Sequence, residues 1–157
     1  MTTRQESLKA ALTPVLHFVR DRWADKAIAL SKREMAQGVG MCRYTAAFLA
    51  CQMKPRWRFA GGAQDWRDGT GLVGDGGYFD GSAWHPHHWV TDGELIVDLA
   101  ATQFGGAAIE VVPVNDARYC GNYLRRDCVE AVRGVSQGLK EWNRLYAALD
   151  RRDLRNI

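Results

Sequence analysis

Long apolar runs are missing from the sequence: no window reaches the length of a membrane span, and residues 1–6 are polar and lead into no hydrophobic signal region. We therefore expect a cytoplasmic protein without a membrane partner, with signal-independent secretion left open. An excess of one charge is missing as well, because the formal net charge is only +3. The arginines of residues 151–155 form the densest basic run and are interpreted as a solvated tail, so no nucleic-acid partner is expected.

Cysteine is scarce, and Cys42, Cys51, Cys120 and Cys128 stand at irregular spacings with no C-x-x-C pair. A chain of 157 residues buries a sufficient core without covalent staples, which predicts a single domain over residues 1–157 and no disulfide framework. Cys51 is expected to be a core residue of a helix, and Cys120 and Cys128 are expected to have no chemical role. Cys42 has a different setting.

Cys42 follows a glycine-rich turn at residues 38–40 and begins a helical pattern that should end near Met53, before Pro55. Free backbone N–H groups and the positive end of the helix dipole favour a thiolate at such a position. Cys42 is therefore the candidate nucleophile. Its own N–H is one candidate donor to an oxyanion, and Gln37 is the candidate for the second donor.

The order of predicted elements is helices, then short strands, then a helix. Apolar spacing predicts a helix from about Pro14, with the proline as its first residue, into the early thirties. Strands are predicted at residues 56–59, 71–73, 77–79, 87–91, 94–99 and 109–114, and a C-terminal helical pattern at residues 129–149. This order predicts an α+β fold. The glycine- and aspartate-rich residues 64–82 are expected at the surface, and whether they gate a site is left open.

Residues 92–93, an Asp-Gly pair between two strand patterns, predict a hairpin with a two-residue loop. In that register His87 lies directly opposite Asp98, and His88 points to the other face of the sheet. We expect Cys42 to approach the face that carries His87. Cys42 would then attack a carbonyl carbon, His87 would carry the proton, and Asp98 would orient the imidazole.

A metal site is the alternative interpretation of the three neighbouring histidines, His85, His87 and His88. The metallo-hydrolase pattern His-x-His-x-Asp-His is not met, because Trp89 and Val90 occupy its last two places. We therefore expect neither a metal nor another cofactor.

The residues that would form the thiol site resemble those of the transglutaminase-like branch of the papain-like cysteine enzymes, in particular its small bacterial and phage members. The matching segments are Gly40-Met41-Cys42, His87-His88-Trp89, Ile96-Val97-Asp98-Leu99 and the run from Asp98 to Phe104. The resemblance covers residues 38–104, and the flanking segments are predicted helices. It implies a cysteine-bearing helix packed on an antiparallel sheet, with the catalytic residues Cys42, His87 and Asp98 in a cleft.

The resemblance also implies chemistry on an acyl group: a hydrolase or acyltransferase that forms a thioester with a peptide, isopeptide or glutamine side-chain amide of a peptide or protein substrate. It does not indicate whether water or an amine accepts the acyl group, nor the oligomeric state. An NlpC/P60-like peptidoglycan amidase or endopeptidase is the alternative enzyme, and a catalytically inactive binding module of the same fold is the alternative without activity.

Overall fold

The computed structural model describes residues 2–62, 76–121 and 135–149. The α-helices in these residues are α1 (Thr3–Ala29), α2 (Cys42–Gln52) and α3 (Ser136–Ala147). The strands are β1 (Arg58–Gly62), β2 (Gly77–Phe79), β3 (Trp84–His85), β4 (His87–Thr91), β5 (Leu95–Asp98), β6 (Glu110–Pro113) and β7 (Tyr119–Cys120), and short 3-10 helices span Arg33–Gln37 and Ala101–Phe104. The predicted α+β class is confirmed. The strand predicted at residues 71–73, Cys128 and the basic run 151–155 lie outside the described residues.

Two antiparallel sheets organise the strands. The larger has the order β1-β4-β5-β6, and the smaller has the order β3-β2-β7. One face of the larger sheet, here called the helical face, carries Val90, Val97 and Val111 into a core shared with the three helices. The opposite face carries Trp89 and Ile96 toward the smaller sheet. In the part of the chain that is described, no helix combines the length and apolar character needed to cross a bilayer.

Helix α1 begins eleven residues before the predicted start, so the expectation that Pro14 opens the main helix is wrong. A capping box stabilises the N-terminal end of α1. The Thr2 hydroxyl accepts from the Gln5 backbone N–H, and the Gln5 side-chain oxygen accepts from the Thr2 backbone N–H. The helix continues through Pro14 because its buried face is continuous across that residue. Buried side chains on this face are Leu8, Leu12, Val15, Leu16, Phe18, Val19 and Trp23.

Helix α2 begins at Cys42 and ends at Gln52, which confirms the predicted helix. Its first turn is fastened to α1, because the Trp23 indole donates to the Thr45 hydroxyl at 3.0 Å and that hydroxyl donates to the Met41 carbonyl at 2.8 Å. The preceding Gly38 has φ +93°, and a Cβ there would lie 2.9 Å from the Trp23 ring. Only glycine fits this turn, so the position of Cys42 is set by packing against α1.

The hairpin between β4 and β5 forms, but the predicted two-residue loop is wrong. Thr91 pairs with Ile96, which leaves four residues between these paired positions instead of two. The Asp92 carboxylate accepts from the backbone N–H groups of Glu94 and Leu95 at 3.0 and 2.9 Å. These two hydrogen bonds stabilise a wider turn than the predicted two-residue loop. The pairing is therefore shifted by two residues, and His87 does not lie directly opposite Asp98.

Strand β1 extends through Gly61 and Gly62, beyond the predicted end at residue 59. The prediction placed the strand at residues 56–59, whereas pairing with β4 runs from Arg58 to Gly62. Gly61 pairs with His88, and a Cβ at Gly61 would lie 2.4 Å from the imidazole of His88. Glycine here admits a close neighbour rather than ending the strand.

The C-terminal helical pattern is confirmed from Ser136 onward, and its earlier part lies outside the described residues. Helix α3 contributes Trp142 and Tyr146 to the core around Phe48 of α2. The Phe48 ring centroid lies 5.3 Å from Phe18 and Tyr146 and 5.9 Å from Trp142. Tilted and edge-on aromatic contacts of this kind join all three helices.

Replacing Phe48 by Ala should lower the free energy of unfolding by about 3–5 kcal/mol, because a fully buried ring is exchanged for a cavity. Urea denaturation followed by circular dichroism measures the change. The matched control is Ile28→Ala, at a residue that is 79% exposed and should change by no more than about 0.5 kcal/mol. Equal losses in the two variants would contradict the described core.

Candidate active site

The centre of the candidate site is a buried histidine–aspartate pair. His87 opens β4 and Asp98 ends β5, and His87 Nε2 lies 2.6 Å from Asp98 Oδ2. Their side chains are 0% and 1% exposed. The two-residue shift in register preserves the face on which each side chain lies, because side chains alternate with a period of two. The predicted pairing therefore occurs across a diagonal instead of between directly opposed residues.

Asp98 accepts two further hydrogen bonds that fix its carboxylate. The backbone N–H of Ala100 donates to Oδ1 at 2.8 Å, and the Tyr119 hydroxyl donates to Oδ2 at 3.0 Å. Burial and the charges of Asp98 and Glu110 raise the pKa of Tyr119 above its ordinary value, so the phenol keeps its proton and acts as a donor. Asp98 is thereby held to accept from His87 on one side and from the smaller sheet on the other.

Cys42 lies at the first position of α2, where no side chain caps the helix and its own N–H has no acceptor within the helix. The buried sulfur reaches the start of β4, and Sγ lies 3.8 Å from His88 Nδ1. Helix α2 packs on the helical face, on which His88 lies. The expectation that Cys42 approaches the sheet from the face of His87 is therefore wrong, although the thiol still interacts with His87. The thiol interacts with both imidazoles at the end of the strand.

The charges of this cluster favour a thiolate. Burial opposes ionisation of Cys42, but hydrogen bonding and positive charge from His87 and His88 outweigh burial and lower the pKa of Cys42 to about 6. Burial likewise opposes the imidazolium of His87, but the charge and hydrogen bond of Asp98, together with the interactions of Cys42, raise the pKa of His87 to about 10. Between these pH values the cluster holds a thiolate beside an imidazolium.

Gln103 links the loop before Cys42 to the histidine. Its Oε1 accepts from the Gly40 N–H at 3.4 Å, and its Nε2 donates to the Ala100 carbonyl at 3.0 Å. These two contacts fix the orientation of the amide and leave Nε2 at 3.5 Å from His87 Nδ1. Gln37, the sequence-based candidate for a donor, ends the short 3-10 helix with an exposed side chain and makes no hydrogen bond to the site within the described residues.

The remaining histidines and cysteines of the described segments do not gather into a metal site. His85 Nε2 lies 2.7 Å from Asp80 Oδ2, and its ring stacks on Phe104. The described residues contain no group of three or more His, Cys, Asp or Glu placed to hold a metal ion. Cys42, Cys51 and Cys120 are free thiols, and the last two are half-buried.

Three features of the site escaped the sequence-based interpretation: the bond from Tyr119, the bridge made by Gln103, and the contact of His88 with the thiol. Gln103 lies inside the run 98–104 that carries the family resemblance, which is the one signal available for it. Tyr119 belongs to a two-residue strand that is too short for a periodic pattern to reveal.

Three comparisons with known proteins, made against family models, curated proteins and solved structures, found no match for this chain.

Alkylation of Cys42 by iodoacetamide should accelerate as the pH rises through about 6, because the pKa of the thiol is lowered to about 6 and only the thiolate reacts. At pH 6 the Cys42 peptide should be labelled before those of the other cysteines, as read by quenched time points and peptide mapping. A rate that rises only near pH 8.5, the value typical of a free thiol, or earlier labelling of Cys51 or Cys120, would contradict the described cluster.

Replacing Tyr119 by Phe removes one donor to the buried Asp98 carboxylate. A hydrogen bond to a charged group contributes about 1.5–3 kcal/mol, so the free energy of unfolding should fall by about that amount in urea denaturation. Tyr44→Phe is the matched control, because the Tyr44 hydroxyl has no hydrogen-bond partner among the described residues and its ring packs on Trp142. A Tyr119→Phe variant as stable as this control would show that the bond to Asp98 contributes nothing.

Proposed function

We propose that the protein is a cysteine-dependent hydrolase or acyltransferase with a papain-like core of the transglutaminase-like type. Its substrates would be amides of peptides or proteins, attacked to form a thioester on Cys42. The observation that carries the proposal is one cluster: a thiol at a helix start, in contact with an imidazole that is bonded to a buried carboxylate at 2.6 Å. Nucleophile, proton carrier and orienting group are the three parts that such chemistry requires.

In the first half of the proposed reaction, the Cys42 thiolate attacks the amide carbon. The carbon–nitrogen bond then breaks, and the His87 imidazolium gives its Nδ1 proton to the departing amine. Asp98 keeps Nε2 of His87 in place throughout, which leaves Nδ1 as the nitrogen that gives up the proton. The acyl group is left on Sγ as a thioester.

The oxyanion formed during this attack needs fixed donors. The Cys42 N–H, which has no acceptor within α2, is the first donor. We assign the second to the Gln103 amide in place of Gln37, because its orientation is fixed by Gly40 and Ala100 beside the histidine. In the second half, neutral His87 takes a proton from water or an amine as that acceptor attacks the thioester, and the thiolate leaves.

The inactive binding module of the same fold is the less favoured alternative. Enclosing His87 and Asp98 at 0% and 1% exposure removes both from water, which costs free energy that a well-packed apolar pair would not. A module that only binds would gain nothing from burying this polar pair. It would also gain nothing from a thiol whose pKa is lowered to about 6. The peptidoglycan amidase remains the alternative enzyme and would differ in its substrate.

Replacing His87 by Ala should lower amide turnover by roughly 10²–10⁴-fold, because the leaving amine loses its proton donor. Hydrolysis of a panel of peptide p-nitroanilides and ammonia release from a glutamine-containing peptide supply the measurement. His85→Ala is the control, since His85 is paired with Asp80 and stacked on Phe104 away from the thiol. Turnover that survives in a Cys42→Ala variant, or is equal in the His87 and His85 variants, would refute the proposed roles.

A further inference from the structure

The thiol has a second imidazole beside it, which the proposed triad does not use. His88 Nδ1 lies 3.8 Å from Cys42 Sγ, within the range of a hydrogen bond to sulfur. His88 is half-buried and lies on the helical face, whereas His87 lies on the opposite face with Asp98. The two adjacent residues of β4 therefore reach the sulfur from the two faces of the same sheet.

The position of His88 is built into β1. The imidazole stacks on Phe59 with ring centroids 5.2 Å apart and planes inclined by 29°. Beneath it lies Gly61, where a Cβ would come within 2.4 Å of His88 Cδ2 and 2.8 Å of the His87 carbonyl. The Phe59 ring and the absence of a side chain at Gly61 therefore fix the position of the His88 imidazole against β1.

We propose that His88 is a second partner of the Cys42 thiolate, donating its Nδ1–H to the sulfur while His87 alone carries the transferred proton. The inference rests on the proposed function and deepens it, because it assigns proton transfer to His87 and stabilisation of the thiolate to His88. In the resting site the thiol proton resides on His87, and His88 takes no part in the proton transfer. His88 is therefore a positioning residue of the nucleophile.

The surroundings of the two imidazoles support this division. His87 has its Nε2 on Asp98 and is 0% exposed, which suits a group that holds and delivers one proton. His88 bonds to the sulfur and stacks on an apolar ring. The titratable groups facing His88 from the described elements packed against it are Cys42 of α2 and the adjacent His87, while β1 presents Phe59 and Gly61 on this face. Loss of His88 should therefore weaken the thiolate and leave the proton carrier intact.

The test is the pH profile of iodoacetamide alkylation of Cys42 in the 157-residue protein, which needs no knowledge of the substrate. His88→Phe keeps a flat ring against Phe59 but removes the donor, and it should raise the midpoint by about one to two pH units. His88→Gln restores an N–H donor and should recover part of the shift. His17→Gln, on the exposed side of α1, is the control and should match the wild type.

Combining His88→Phe with His87→Ala should bring the profile to that of an ordinary thiol, whereas each single variant should keep part of the acceleration. Turnover of a peptide p-nitroanilide separates the two roles further. Between about pH 8 and 9 the His88→Phe variant should regain turnover, because its thiol is ionised there while His87 still carries its proton, and His87→Ala should not. Urea denaturation of each variant verifies that it is folded.

The outcomes distinguish this inference from the proposed function. A wild-type Cys42 that alkylates no faster than Cys51 or Cys120 would overturn both. Fast alkylation that disappears in His87→Ala alone, with a wild-type profile in His88→Phe, would overturn the role of His88 and leave the proposed function standing. A raised midpoint in His88→Phe that His88→Gln partly reverses supports the inference.

Discussion

The buried bond between His87 and Asp98 is the constraint on which the site depends. Two polar side chains at 0% and 1% exposure are tolerated only when their hydrogen bonds are satisfied, and the surrounding elements supply those bonds. The smaller sheet provides the Tyr119 hydroxyl, and the segment after β5 provides the Ala100 N–H. Two sheets and a 3-10 helix are thereby tied to one carboxylate, and the imidazole that it holds is fixed against rotation.

The Cys42 thiol reaches this pair from the other side of the larger sheet. Helix α2 packs on the helical face through Phe48, and its first turn is locked to α1 by Trp23 and Thr45. Cys42 therefore arrives at the end of β4, where successive side chains diverge to the two faces. That geometry explains why one thiol can meet two imidazoles, and why the low-dielectric interior strengthens the charge pairing that lowers the thiol pKa.

The differences between expectation and structure have local causes. A proline is a strong signal for a helix start, yet α1 runs through Pro14 because a capping box and an uninterrupted apolar face outweigh one lost hydrogen bond. An Asp-Gly pair is a strong signal for a tight turn, yet the Asp92 carboxylate binds two backbone N–H groups and widens the loop. In both cases a side-chain hydrogen bond to the backbone changes where the element begins or turns. The pattern of apolar and turn residues does not show which backbone group such a side chain will bind.

The sequence by itself determined the α+β class, the start of α2 at Cys42, and the face shared by His87 and Asp98, because glycine turns, helical spacing and period-two alternation are local properties of the chain. The last of these survived an incorrect register, since a shift of two residues preserves the face. Tertiary structure alone decided which face α2 covers, and with it the contact between Cys42 and His88. It also brought Tyr119 and Gln103 to the site, because contacts between residues distant in sequence depend on how whole elements pack, which no local pattern records.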